Sequence, residues 1–241
     1  MTDAPSPAMP AASRLTGRLF WLVVTAGAVF IALYSVPPYL FYDPEGSRIP
    51  LNPERVSHFL WLSLHAVPGS LALLLGPAQF VPWVRRRFIG VHRWVGRVYL
   101  LCVVVGGLTS VVAAVMSTSG LAAQLGFLLL AVTWLYSGWR AYAAVRGGRI
   151  DEHRTWMIRN YALSFAAVLL RLFIAVGLVF IGQGVELDFA QVYTSSVWCS
   201  IFVSCIVGEW IVLRLEARPP ARQAARQPTR GPAALPQGEP S

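Results

Sequence analysis

Six predominantly apolar stretches, at about 19–36, 60–84, 91–116, 121–145, 157–181 and 192–213, dominate the chain and are each long enough to cross ~30 Å of hydrocarbon as a helix. We number them spans 1 to 6. Hydrocarbon offers no partner to an open strand edge, so the expected fold class is all-α, a polytopic six-helix membrane bundle. With 56% hydrophobic and only 13% charged residues over 241, the bilayer replaces a large aqueous core as the solvent to reason about. The chain divides accordingly into a polar segment 1–18, a transmembrane domain 19–214 and a tail 215–241. The tail is rich in Pro, Ala, Gln and Arg without apolar period and is expected to be disordered.

Arginine placement orients the bundle. All twenty basic residues are arginine. Arg14 and Arg18 precede span 1, Arg85, Arg86, Arg87, Arg93 and Arg97 cluster around the 2–3 connection, and Arg140, Arg146, Arg149, Arg154 and Arg159 flank the 4–5 connection. The opposite side carries only Arg48 and Arg55, offset by Asp43, Glu45 and Glu54. The positive-inside rule therefore predicts both termini in the cytoplasm and a location in the plasma (inner) membrane. A sequence pI near 10.2 suggests nucleic acid at first sight, but these bases hug helix ends between spans. Anionic headgroups of the lipid bilayer are the expected partners, at about 1 kcal/mol per base near the surface, with no nucleic acid and a homo-oligomer left open. The apolar run of span 1 exceeds a usual signal-peptide core and no Ala-x-Ala site ends it, so a retained first helix is expected. Tyr39, Phe41, Tyr42 and Trp61 suit an interfacial belt on the far side, as do Trp83, Trp94 and Trp156 on the near one. Cys102, Cys199 and Cys205 fall within spans at no metal or CxxC spacing and read as buried free thiols.

Polar residues inside the spans point to seams. His58, His65, Gly69, Ala72, Gly76 and Gln79 recur at helical spacing on one stripe of span 2, and His92, Gly96, Tyr99, Val103, Gly106 and Ser110 do so on span 3. Small residues let helices approach closely, so spans 2 and 3 are expected to pack as an antiparallel pair. Span 5 presents Asn160, Ser164, Val168 and Arg171 on one face. A lipid-facing charge at the depth of Arg171 costs at least about 2.5 kcal/mol, so this face must turn inward. Counted from the far side at ~1.5 Å per residue, His65 and Arg171 reach similar depths. His65, Gln79, Asn160 and Arg171 thus form the candidate polar seam. Glu209, the only acid inside a span, suits an interfacial ion pair with Arg214 or, alternatively, a role in proton or ligand handling.

Two elements nearly repeat: His92-Arg93-Trp94-x-x-Arg97-x-Tyr99 and His153-Arg154-Thr155-Trp156-x-x-Arg159-x-Tyr161. They begin spans 3 and 5 from the same side, so spans 2–5 are expected to form two related hairpins that bring His92 and His153 near a pseudo-twofold axis. Two neutral imidazoles on facing helices are the ligand set of a b-type haem, with Arg97 and Arg159 as clamps for its propionates. The same histidines also suit a plain headgroup-level role, hydrogen-bonded and wet. No nucleophile elbow, phosphate-cradling glycine loop or metalloprotease helix occurs, which excludes the familiar hydrolases.

The pattern His65-x-x-x-Gly69-Ser70-x-Ala72-Leu73-x-x-Gly76-x-x-Gln79-Phe80, followed by His92-Arg93-x-x-Gly96-Arg97-x-Tyr99 and by His153-Arg154-x-Trp156-Met157-x-Arg159-Asn160-Tyr161-Ala162-Leu163 with Arg171 downstream, resembles a bacterial and fungal family of predicted multi-pass membrane proteins of unknown function. It covers about 57–171. The resemblance implies a polytopic membrane protein and no particular activity. A more distant likeness is to cytochrome b561-type membrane proteins, whose four-helix core holds haem between histidines on alternate helices; span 4 lacks the histidine that the two-haem pattern needs. Three readings stay open: a haem-binding or redox protein using His92 and His153, a small-molecule, anion or proton transporter using the span 2 stripe with Arg171, and a non-catalytic assembly or lipid-binding protein.

Overall fold

The computed structural model describes residues 11–217, so the expectations for residues 1–10 and 218–241 lie outside it. Among the described residues eight helices follow one another: α1 (Ala11–Ser35), α2 (Pro37–Leu40), α3 (His58–Phe80), α4 (Pro82–Arg87), α5 (Ile89–Met116), α6 (Leu121–Arg146), α7 (Ile150–Gly182) and α8 (Phe189–Glu216). Among the described residues there is no strand. Five helices, α3, α5, α6, α7 and α8, are long and apolar enough to cross a membrane, and the chain is a multi-pass membrane protein. Helix α1 carries an apolar run, Leu19–Ser35, and Pro37 and Pro38 follow its end.

Local chemistry explains where the helices differ from the apolar stretches. Span 2 breaks at Val81, which takes an extended conformation before Pro82, and Pro82 starts the short α4. Helix α7 begins seven residues earlier than its apolar run, with Asp151 and Glu152 in a first turn whose positive end favours acids. At α8 a capping box closes the start: Asp188 accepts from the Gln191 N–H at 2.7 Å while Gln191 Oε1 accepts from the Asp188 N–H at 3.0 Å.

Helices α3, α5, α6 and α7 form a closed ring, each packing on its chain neighbour and α3 returning to α7. Helix α1 lies against α3 and α7, and α8 against α7 and α6. Helix α3 thus packs on α5 and α6 on α7, with α5 and α7 on one diagonal. We call the end with the 41–57 loop the loop end, and the end with α4 and the 147–149 turn the arginine end.

Close approach depends on the small residues of the stripe. A Cβ on Gly106 would sit 3.4 Å from the Gly69 nitrogen, and one on Gly96 would sit 3.4 Å from Gln79 Oε1, which places both contacts on the α3–α5 seam. Gly76 turns elsewhere: a Cβ there would run into the Tyr161 ring of α7. Pro77 has no N–H to give the Leu73 carbonyl one turn earlier, and the Tyr161 hydroxyl donates to that carbonyl at 3.2 Å instead. A helix-breaking residue is thus matched by a side chain from a neighbouring helix.

Three expectations are corrected. Tyr39 is buried against Phe59, with ring centroids 5.5 Å apart, whereas Phe41 and Tyr42 are exposed as belt residues should be. The cysteines are free, but only Cys102 is buried; Cys199 and Cys205 lie on outward faces of α8. Glu209 pairs not with Arg214 but with Arg159, because α7 and α8 pack together there and a guanidinium fork meets the carboxylate at 2.9 Å through both Nε and Nη2. Arg214 lies over the Trp210 ring instead, 4.2 Å from its centroid.

Candidate functional site

The centre of the ring is a saturated polar network. Asn160, fully buried, donates from Nδ2 to the Trp134 carbonyl and to Ser137 Oγ, both at 2.8 Å, and accepts from the Tyr99 hydroxyl at 2.7 Å. Ser164 accepts from Trp134 Nε1 at 2.8 Å and donates to the Asn160 carbonyl at 3.1 Å. Every polar atom here has a partner, so Asn160 ties α5, α6 and α7 together and offers nothing to a ligand. Gln79 is buried at the α3–α5 contact.

Toward the loop end, above this network, the ring opens into a cavity of about 190 Å³. Its walls are mostly apolar, with Leu62, Ala66, Leu130 and Val197 among them, and its polar lining includes Ser35, His58, His65, Ser110, Arg171 and Tyr193. No lining residue is acidic. His65 Nδ1 donates to the Gly106 carbonyl at 2.9 Å, which leaves Nε2 of the neutral ring as an acceptor. The charge of Arg171 reaches both His65 and Tyr193. The three ion pairs among the described residues leave Arg171 out. An interior guanidinium without a carboxylate costs at least about 2.5 kcal/mol in a membrane and marks a site where an anion is welcome.

The 41–57 loop reaches this cavity through Ile49. Asn52 donates from its backbone N–H to His58 Nδ1 at 3.0 Å and from Nδ2 to the Met116 carbonyl at 2.9 Å, joining the loop to the start of α3 and the end of α5. With its Nδ1 lone pair occupied, the neutral His58 ring carries its proton on Nε2. That atom is buried without a protein partner, as is Ser35 Oγ, and both residues line the cavity. A buried polar group left unsatisfied costs about 1–3 kcal/mol.

The arginine end looks different. His92 and His153, at the starts of the diagonal helices α5 and α7, lie within electrostatic reach of each other and of Arg85 and Arg93. His153 Nδ1 donates to the Ala141 carbonyl at 2.8 Å, and His92 Nδ1 is buried without a partner. Burial first, then the charges of Arg154 and Arg86, hold the Arg85 guanidinium below the usual arginine range. Arg97 is exposed. Arg159 is occupied by Glu209 and lies over Trp156, 4.9 Å from the ring centroid, while Arg140 lies over the same ring at 4.7 Å and bonds Glu152. The donor chemistry of the two histidines suits a haem iron; Tyr99, Met157 and Tyr161 are buried together in one core cluster of the bundle. One of the two proposed propionate clamps is already paired.

Of the sequence candidates, the fold therefore brings His65 and Arg171 to one cavity, keeps Asn160 and Gln79 in packing below it, and groups His92 and His153 at the opposite end. Ser35, Tyr193 and the open face of His58 were not legible as site residues. Ser35 and Tyr193 come from α1 and α8, and nothing in their local pattern distinguishes a cavity-facing hydroxyl from a packed one.

A family model described as a predicted membrane protein (DUF2306) matches residues 62–212, well over half of the chain. The match runs beyond the expected 57–171 to take in the last span. No curated protein and no solved structure matches the chain.

Proposed function

The chain belongs to the DUF2306 family of predicted membrane proteins, and from that premise we propose that it binds a small anion in the loop-end cavity, as a carrier or receptor rather than as a redox protein. The observation that carries this reading is Arg171, among the described residues the only charged one lining the cavity, set among apolar walls with the acceptor Nε2 of His65 nearby. A pocket with apolar walls and a few convergent polar groups is the usual form of a small-ligand site. His65 supplies a second pole: a ligand that presents an anionic oxygen to Arg171 and a hydroxyl proton to His65 satisfies both. We further propose six crossings, α1 included, with both termini on the cytoplasmic side of the inner membrane, on the strength of the arginine distribution.

Thermal unfolding of the purified protein in detergent micelles tests the binding. Chloride, acetate and phosphate are compared at constant ionic strength. A bound anion raises the apparent stability by RT ln(1 + [L]/Kd), so at about a hundredfold excess over Kd the gain is about 2.7 kcal/mol. We expect at least one of the three to protect the protein and Arg171→Gln to abolish the protection. Equal protection of the variant, or none of the native protein, overturns the reading. In the same preparation, expressed with added iron and haem precursor, we expect no Soret band; a band lost in His92→Ala and His153→Ala restores the haem reading.

A further inference from the structure

The loop-end cavity has a second polar pole that anion binding at Arg171 does not use. His58 and Ser35 stand on different helices, α3 and α1, both line the cavity, and both are buried with a polar atom lacking a protein partner. His58 is 1% exposed. Its Nδ1 is held by the Asn52 N–H, so Nε2 carries the ring proton and is a buried donor, with the Ala113 carbonyl beside the ring and no well-formed hydrogen bond on that atom. Ser35 Oγ, also unpartnered, adds a second donor, a hydroxyl. Along α3, His58 and His65 are seven residues apart, about 10 Å of helix rise, and Leu62 and Ala66 line the cavity between them.

We propose that His58 and Ser35 form an acceptor-binding subsite, and that the ligand is a small organic acid with its carboxylate at Arg171, an apolar middle, and an uncharged hydrogen-bond acceptor such as a carbonyl at its far end. The inference rests on the proposed anion site. It excludes compact inorganic anions as the best ligands, since they cannot reach both poles. It also disfavours dicarboxylates: the far pole offers two neutral donors and no cation, and an ionised group taken out of water needs a charge partner.

Apparent affinities of octanoate and 7-oxooctanoate, from ligand-dependent thermal shifts in detergent micelles, decide the matter. Two neutral hydrogen bonds to otherwise unsatisfied donors give the oxo acid about a tenfold advantage in the native protein. Ser35→Ala and His58→Asn each remove one of the two bonds and are each expected to lower that ratio to about threefold. Asparagine keeps an acceptor for the Asn52 N–H, and Ser35→Ala supplies the readout if the histidine variant does not fold. A ratio near one in the native protein, or a ratio untouched by both substitutions, overturns the subsite and leaves the Arg171 site standing. Failure of either acid to bind, together with indifference of the protein to Arg171→Gln, overturns both.

Discussion

Asn160 shows how much one buried amide can organise. Both of its donors and its acceptor are engaged by three residues on two other helices. Truncation to alanine leaves the Tyr99 hydroxyl and the Trp134 carbonyl without that partner in a dry interior, and each such loss costs about 1–3 kcal/mol. We expect Asn160→Ala to destabilise the protein by about 2–4 kcal/mol and Tyr99→Phe by about 1 kcal/mol, measured by denaturant titration in mixed micelles. A near-neutral Asn160→Ala shows that the network is incidental. Asn160 and Arg171 share one face of α7, and sequence spacing alone puts both inward. It cannot separate them: the first is saturated by Trp134, Ser137 and Tyr99, while the second, more than three turns further on, meets the cavity. The difference is made by which side chains arrive from α5 and α6, and that information is not local.

At the scale of the element, α3 illustrates how a helix with two internal prolines remains whole. Pro77 frees the Leu73 carbonyl, Tyr161 of α7 takes it up, and Gly76 clears the space for the ring. The two residues should be energetically coupled. In a double-mutant cycle we expect Tyr161→Phe to cost about 1 kcal/mol in the native background and much less once Pro77→Ala has restored the backbone donor, giving a coupling of about 0.5–1 kcal/mol. Strict additivity of the two substitutions rules out the compensation. Gly76→Val is expected to be severely destabilising in either background, since its side chain and the Tyr161 ring claim one volume. The span 2 stripe was readable as an interior face because lipid rejects His and Gln. Its division was not: His58, His65 and Gly69 line the cavity, Gly96 of α5 faces Gln79, and Gly76 serves α7.

For the whole molecule, the ring of α3, α5, α6 and α7 places the two His-Arg elements at one end and the cavity at the other. Reporter fusions in the 81–88 and 147–149 turns are expected to fall on one side of the membrane, and a fusion in the 41–57 loop on the opposite side. A loop fusion on the same side as the turns contradicts both the topology and the closed ring. Composition and hydropathy determine that the chain is helical and membrane-bound, because an apolar solvent forbids unpaired backbone and demands runs of about twenty apolar residues. Periodicity adds which faces turn inward, since a buried guanidinium or imidazole has nowhere else to go. Only the tertiary structure decides that Arg159 answers Glu209, that Tyr161 repairs α3, and that Ser35, His58, His65 and Arg171, spread over 137 positions of chain, share one cavity. The reason is physical: polarity at each position determines burial, but the partner of a buried group depends on which helices pack together and at what height, and that is set by close packing over the entire bundle.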